Sequence, residues 1–131
     1  MAAGDGPVGR LHKVVLDCPD PAALAGFWAA VLGLVLIYAD DDWVTLGPPA
    51  GDGTRLGIQR APNHRPPAWP DPDRPQQVHL DVFVDDLAGA GARVEALGAT
   101  RLDRAGDDHH RIYADPAGHP FCLCVPRPGN P

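Results

Sequence analysis

The sequence is short of basic residues, of cysteine and of long apolar runs, and each shortage excludes a class of protein. Only 11 Lys and Arg stand against 17 Asp and Glu, a formal net charge of −6. A surface that must neutralise phosphates needs the opposite balance, so no nucleic-acid partner is expected. No apolar stretch approaches the roughly 20 residues of a membrane-spanning helix, and no membrane partner is expected either. The opening Met1 to Pro7 lacks a basic segment followed by an apolar one. That argues against a secretory signal and for a cytoplasmic location. The three cysteines, Cys18, Cys122 and Cys124, are odd in number and lack paired spacing, so they are no disulfide framework. Cys122-Leu123-Cys124 is a C-x-C with no second pair to complete a structural zinc site, and buried free thiols are the plain reading of all three.

What is present fits one domain over residues 1–131. Hydrophobic residues make up 44% of the chain, enough to bury a core and too much for a disordered chain, despite 15 Gly and 16 Pro. Leu11 to Cys18 is short, β-branched and closed by Pro19-Asp20-Pro21, which predicts a strand followed by a helix capped by Asp20. Leu24, Phe27, Trp28, Val31 and Leu32 repeat on one helical face, and Gly33 supplies the stop. Strands are expected at Leu34–Tyr38, Trp43–Leu46 and Thr54–Arg60, the first two joined by the turn Ala39 to Asp42.

A proline-rich stretch of about residues 62–76 then separates this module (about 10–61) from a second one (about 77–126). Proline supplies no ladder donors, so the stretch is a loop, and loops of that length often serve as lids or binding loops. Trp69 within it is either a packing anchor or a cavity wall. The second module repeats the order: a strand Val78–Val84, a helix capped by Asp85 or Asp86 with Leu87, Ala90, Val94 and Leu97 on one side, then strands Thr100–Leu102, Arg111–Ala114 and Phe121–Val125. The predicted class is α+β, with the β-α-β-β-β order occurring twice.

Val14 to Asp20, Phe27 to Gly33, Val78-His79-Leu80-Asp81, Asp85-Asp86-Leu87, Ala96 to Ala99 and Asp115 to Leu123 together resemble the vicinal oxygen chelate superfamily, the glyoxalase and bleomycin-resistance proteins. The resemblance runs from about Leu11 to Val125. It implies two βαβββ modules curved as half-barrels around a cavity, often completed across a homodimer.

Strand alternation names the side chains for such a cavity. Val78, Leu80, Val82 and Val84 form one apolar face, expected beneath the helix, which leaves His79, Asp81, Phe83 and Asp85 on the other. Aligning the helix caps at Asp20 and Asp86 sets Lys13 opposite His79 and puts His12 under the first helix. A one-residue shift would exchange His12 and Lys13. His79 with Asp81 is a pair suited to proton transfer, the carboxylate orienting the imidazole, and Gln59 is expected nearby as a hydrogen-bond donor. Lys13 with Asp17 makes a comparable pair. Trp43 faces the ligand, the dimer partner or the core, core packing being the plain expectation. Of His109 and His110, at most one can look inward; His64 is expected in solvent and His119 in its turn.

Metal-dependent members place ligands on the first, fourth, fifth and eighth strands, positions that the resemblance carries to Lys13, Gln59, His79 and Cys122. A lysine cation opposes a metal, so no cofactor is expected. A divalent metal would need a soft His79–Cys122 site, with its third ligand from His12 or the loop. The expected function is binding of a small organic molecule, with His79 and Asp81 as catalytic pair in a lyase or isomerase step and Lys13, Gln59, Trp43, Trp69 and Cys122 as ligand contacts. The alternatives are a drug- or metabolite-sequestering protein and a metal-dependent lyase or dioxygenase. No Ser–His–Asp order, phosphate loop or dinucleotide fingerprint is visible.

Overall fold

The computed structural model describes residues 5–104, 107–127 and 129. The first module comprises β1 (Lys13–Cys18), α1 (Pro21–Leu32), β2 (Val35–Ala39), β3 (Trp43–Gly47) and β4 (Arg55–Arg60). The second comprises β5 (Leu80–Phe83), α2 (Leu87–Ala96), β6 (Thr100–Arg101), β7 (His110–Ala114) and β8 (Pro120–Cys124). Each module forms one four-stranded sheet, ordered β1-β4-β3-β2 and β5-β8-β7-β6. The β1–β4 and β5–β8 pairs are parallel and the others antiparallel. The predicted α+β class and duplicated order hold, and neither sheet closes into a barrel.

The helix ends form where their chemistry requires. Asp20 accepts from the Ala23 N–H, Pro21 opens the helix, and Gly33 ends it at φ 65°, a left-handed conformation that glycine adopts without cost. Of the two carboxylates considered for the second cap, Asp86 fills the role, its side chain accepting from Ala88 N–H at 3.1 Å.

One face of each sheet is apolar and covered. Cys18, Val44, Leu46, Leu56 and Ile58 join α1 in the core, and Phe121 and Leu123 join Val94 of α2. The two halves share that core through aromatic edges: Phe27 and Trp28 of α1 meet Phe121 of β8 at 5.8 and 5.1 Å between centroids. Burying side chains of this size contributes about 1.5–3 kcal/mol each, and edge-to-face pairs add roughly 0.5–1.5 kcal/mol more.

Several expectations at element ends are corrected. Leu32 and Leu97 are exposed although they continue the helical stripes, because each sits at the end of its helix, beyond the sheet. Val78 is 70% exposed, since β5 starts only at Leu80. His12 precedes β1 and is exposed rather than held under α1. In β2 every residue is exposed; it is an edge strand, and the irregular pairing between Leu36 and Tyr38 is the kind of bulge that blunts such an edge. The proline-rich loop has no helix or strand and closes on itself, with Ala68 N–H donating to Arg74 O at 2.8 Å and Arg74 Nη2 to Pro66 O at 2.7 Å.

Candidate functional site

The parallel register of β5 and β8 pairs Leu80 with Phe121, Asp81 with Cys122, Val82 with Leu123 and Phe83 with Cys124. Leu80, Val82, Phe121 and Leu123 belong to the core side, so Asp81, Phe83, Cys122 and Cys124 face away from α2. His79, two residues before Asp81, comes to that same open face, its Nε2 3.1 Å from Asp81 Oδ1. A cavity of about 440 Å³ lies over it, walled by His79, Asp81 and Cys122 and rimmed by His109, His110 and Arg127. Trp69 and Gln76 wall an adjoining hollow of about 190 Å³ together with His79 and Cys122.

The thiol and the rim differ in charge. Burial, reinforced by the charge of Asp81, pushes the Cys122 thiol up to about 11, so at neutral pH it is a protonated hydrogen-bond donor and not a nucleophile. Burial raises Cys124 in the same sense. At the rim Asp107 accepts the main-chain N–H groups of His109 and His110 and the Arg127 guanidinium, at 2.7, 3.0 and 2.6 Å. The His109 N–H first, then these other donors, bring its carboxyl down to about 2.

The remaining residues singled out in the sequence stand elsewhere. Lys13 lies on the open face of the first sheet with Nζ 4.7 Å from the Trp43 ring centroid, a cation–π contact and not the expected pair with Asp17. Trp43 does not join the core. Its ring covers Gly57, and its Nε1–H donates to Thr45 Oγ1 at 2.6 Å. Gln59 pairs in register with Asp17 and Trp43. It is not beside His79, because β4 and β5 belong to different sheets. Neither Lys13, Trp43 nor Gln59 lines the cavity on the second sheet. His109 and His110 both line it; the alternation rule fails there because His109 precedes β7. Cys122 and Cys124 are free, half-buried thiols on the cavity wall, and only Cys18 is the fully buried one expected of all three.

Two histidines stand elsewhere than expected from their local sequence. His64 is half-buried and stacks on His119 at 5.1 Å, with Nε2 buried and unpaired. His119 does not stay within its turn but bridges the two modules. The cue was the carboxylate four residues earlier, Asp115, in Asp115-Pro116-Ala117-Gly118-His119.

The four-strand metal set implied by the resemblance does not assemble, because Lys13 and Gln59 stand on the other sheet. A different set does: ligand atoms of His79, Asp81 and Cys122 all lie within 4.8 Å of one another. Among the described residues the third ligand atom of that group belongs to Asp81, and His12 and the proline-rich loop contribute none. Nitrogen, oxygen and sulfur together suit a borderline divalent ion.

A family model described as a glyoxalase-like domain matches residues 13–124. No curated protein matches the chain. Among solved structures, a glyoxalase/bleomycin resistance protein/dioxygenase family enzyme from Burkholderia phytofirmans is 16% identical at TM-score 0.68, over 88% of this chain and 97% of that one. A bleomycin-binding protein from Streptomyces verticillus, complexed with copper(II)-bleomycin, is 17% identical at TM-score 0.56, over 92% of this chain and 100% of that one. An antibiotic-binding protein from a Streptomyces species is 19% identical at TM-score 0.60, over 92% and 98%.

Proposed function

The chain belongs to the glyoxalase-like domain family, and from that premise we propose that it binds a small, partly apolar organic molecule over its second sheet, with His79 as the proton-transfer residue. One observation carries this reading: His79 Nε2 stands 3.1 Å from Asp81 Oδ1 on the wall of the 440 Å³ cavity. Both side chains are open to water, at 39% and 63% exposure, so the contact orients the ring more than it stabilises the fold.

The chemistry follows from which groups meet on the cavity wall. His79 takes a proton from a carbon next to a carbonyl; returning it to another carbon of the enolate completes an isomerisation, and departure of a leaving group from the β-carbon, protonated by the imidazolium, completes a lyase step. Asp81 holds the ring and supports the imidazolium that forms. The Cys122 thiol, protonated at neutral pH, donates to the substrate oxygen in place of Gln59, which stands on the other sheet. A divalent ion held by His79, Asp81 and Cys122 would instead supply a Lewis acid that polarises that oxygen.

The active unit in this proposal is a cytoplasmic homodimer, in which the partner's first-sheet face closes over the cavity and brings Lys13, Trp43 and Gln59 to the ligand. The uncovered state of both sheets supports it: Val15, Tyr38 and Phe83 are 40%, 53% and 63% exposed, whereas parallel strand pairs are normally covered on both faces. Dimerisation is checked by sedimentation of the full chain.

A sequestering protein is the second reading, favoured by the bleomycin-binding and antibiotic-binding proteins among the structural neighbours. Thermal-shift screening of a metabolite and antibiotic library finds the ligand, since binding raises the melting temperature. His79→Ala then separates the readings. Turnover lost with affinity retained supports proton transfer; stoichiometric binding without turnover of any ligand by the native chain supports sequestration.

A further inference from the structure

We propose that the hollow beside His79 is a subsite for one aromatic ring, and that the ligand of the second sheet is a neutral aryl ketone with a hydroxyl on that ring. The subsite rests on the ligand reading of this sheet and names the class of molecule, whether it is turned over or sequestered.

Size and walls select the ring. The hollow holds about 190 Å³, somewhat more than the roughly 150 Å³ that accepts one benzene. Trp69, Ile112 and Pro120 are its apolar walls. Trp69 is half-buried and sits in the turn that Asp71 N–H closes onto Ala68 O at 2.7 Å. The proline-rich loop thus holds the indole against the hollow. An indole pairs with a second aromatic ring beyond the area the two bury, a gain that an aliphatic ring of the same size does not make.

Strand register places the group attached to the ring. Ile112 of β7 and Asp81 of β5 are both register partners of Cys122 on β8, so the three share the open face, each about 4.8 Å from the next strand. A ring over Ile112 therefore sets its carbonyl over Cys122, one strand away. The carbon beyond that carbonyl comes to His79, which with Cys122 walls both the hollow and the main cavity.

Two polar groups define the rest of the molecule. Gln76 also walls the hollow, and a bare ring would take water from its amide and give nothing back. A ring hydroxyl, donor and acceptor at once, answers either end of the amide. The Asp81 carboxylate beside His79 opposes a second carboxylate at close range, which favours a neutral ketone over a keto acid.

The test is calorimetric titration of the full chain with para-hydroxyacetophenone, acetophenone and methyl cyclohexyl ketone. The expected result is one site per chain, tightest for the hydroxylated ring and weakest for the aliphatic one. Trp69→Ala weakens the two aryl ketones about 3- to 10-fold, as the loss of an aromatic pair does, and Trp69→Phe recovers most of that. Gln76→Leu abolishes the preference for the hydroxylated ring, and Cys122→Ala weakens all three ketones alike. Circular dichroism and melting temperature check that each variant folds. Aryl affinity unchanged in Trp69→Ala, an aliphatic ketone bound as tightly as acetophenone, or no saturable binding of any probe overturns the subsite. A hydroxyl preference that survives Gln76→Leu overturns the role of the amide. The ligand reading fails separately: it stands if a library ligand without a ring binds and depends on Cys122, and falls if the aryl ketones bind through Trp69 with no dependence on Cys122 or His79.

Discussion

His119 of the second module donates its Nε2–H to the main-chain carbonyl of Asp17 in the first, at 2.8 Å. Its Nδ1 lies 2.7 Å from the Asp115 carboxylate, whose side chain is fully buried. Both ring nitrogens therefore face acceptors, and only the doubly protonated imidazolium satisfies both. Asp115 also accepts Trp28 Nε1–H from α1 at 2.9 Å and the main-chain N–H groups of Ala117 and His119. One ion pair thus ties β1 and α1 to the turn before β8.

This junction makes stability depend on pH. Burial disfavours the His119 cation, but the hydrogen bond and charge of Asp115, with the Asp17 carbonyl, outweigh it and raise the folded value above the ordinary histidine range. The unfolded value is about 6.5. The stabilisation is complete below that pH and fades as pH rises through the raised folded value. Melting temperature should fall over the neutral-to-alkaline side, and His119→Ala should flatten that slope. The variant should also lose about 3 kcal/mol, because it strands a buried carboxylate. An unchanged pH slope in His119→Ala would count against the imidazolium.

On the first sheet, a Cβ added at Gly57 would lie 2.8 Å from Trp43 Cζ2, 3.2 Å from Lys13 Cδ and 3.3 Å from Val15 Cγ2. Gly57→Ala should therefore lift the Trp43 ring and its cation–π contact, costing about 1–3 kcal/mol as overpacking does. In a Trp43→Ala background the same change should cost clearly less. Urea denaturation of the four proteins closes the double-mutant cycle, and a Gly57→Ala penalty identical in both backgrounds would place the strain elsewhere.

The sequence made the fold legible wherever local chemistry decides structure. Asp20, Pro21 and Gly33 bracket α1 because caps act within one turn, and the alternation of Leu80 and Val82 against Asp81 and Phe83 needs only the pleat. The pairing of His79 with Asp81 follows from the same two-residue step. What local patterns could not reveal was which sheet a strand joins. Consecutive order in the chain suggests that Gln59 on β4 lies near His79 beside β5, yet the two strands belong to different sheets. His119 was assigned to its turn because its partners, Asp17 and the stacked His64, lie 102 and 55 residues away in sequence.

The cavity thiol gives a chemical prediction for the chelator-treated protein. Burial and the Asp81 charge both favour the neutral form of Cys122, which titrates at about 11. Alkylation by iodoacetamide, followed residue by residue by mass spectrometry, should be slow at neutral pH and rise toward that value. Asp81→Asn removes the negative charge, so it should shift the rise to lower pH. Rapid modification of Cys122 in the native protein at neutral pH would mean that the thiolate is stabilised and not opposed.

The turn that carries the ion pair depends on a residue without a side chain. Gly118 has φ 94° and donates its N–H to Asp115 O at 2.9 Å, and an added Cβ would collide with the Pro66 ring of the proline-rich loop. Gly118→Ala therefore meets two penalties, a left-handed backbone and a clash against a rigid ring, together about 2–4 kcal/mol. Since Asp115 and His119 flank this position, the variant should also weaken the pH dependence of stability, whereas Pro66→Gly should restore part of the loss by removing the ring. A Gly118→Ala protein as stable as the native one, by thermal denaturation at acidic and alkaline pH, would mean that the loop does not press on the turn.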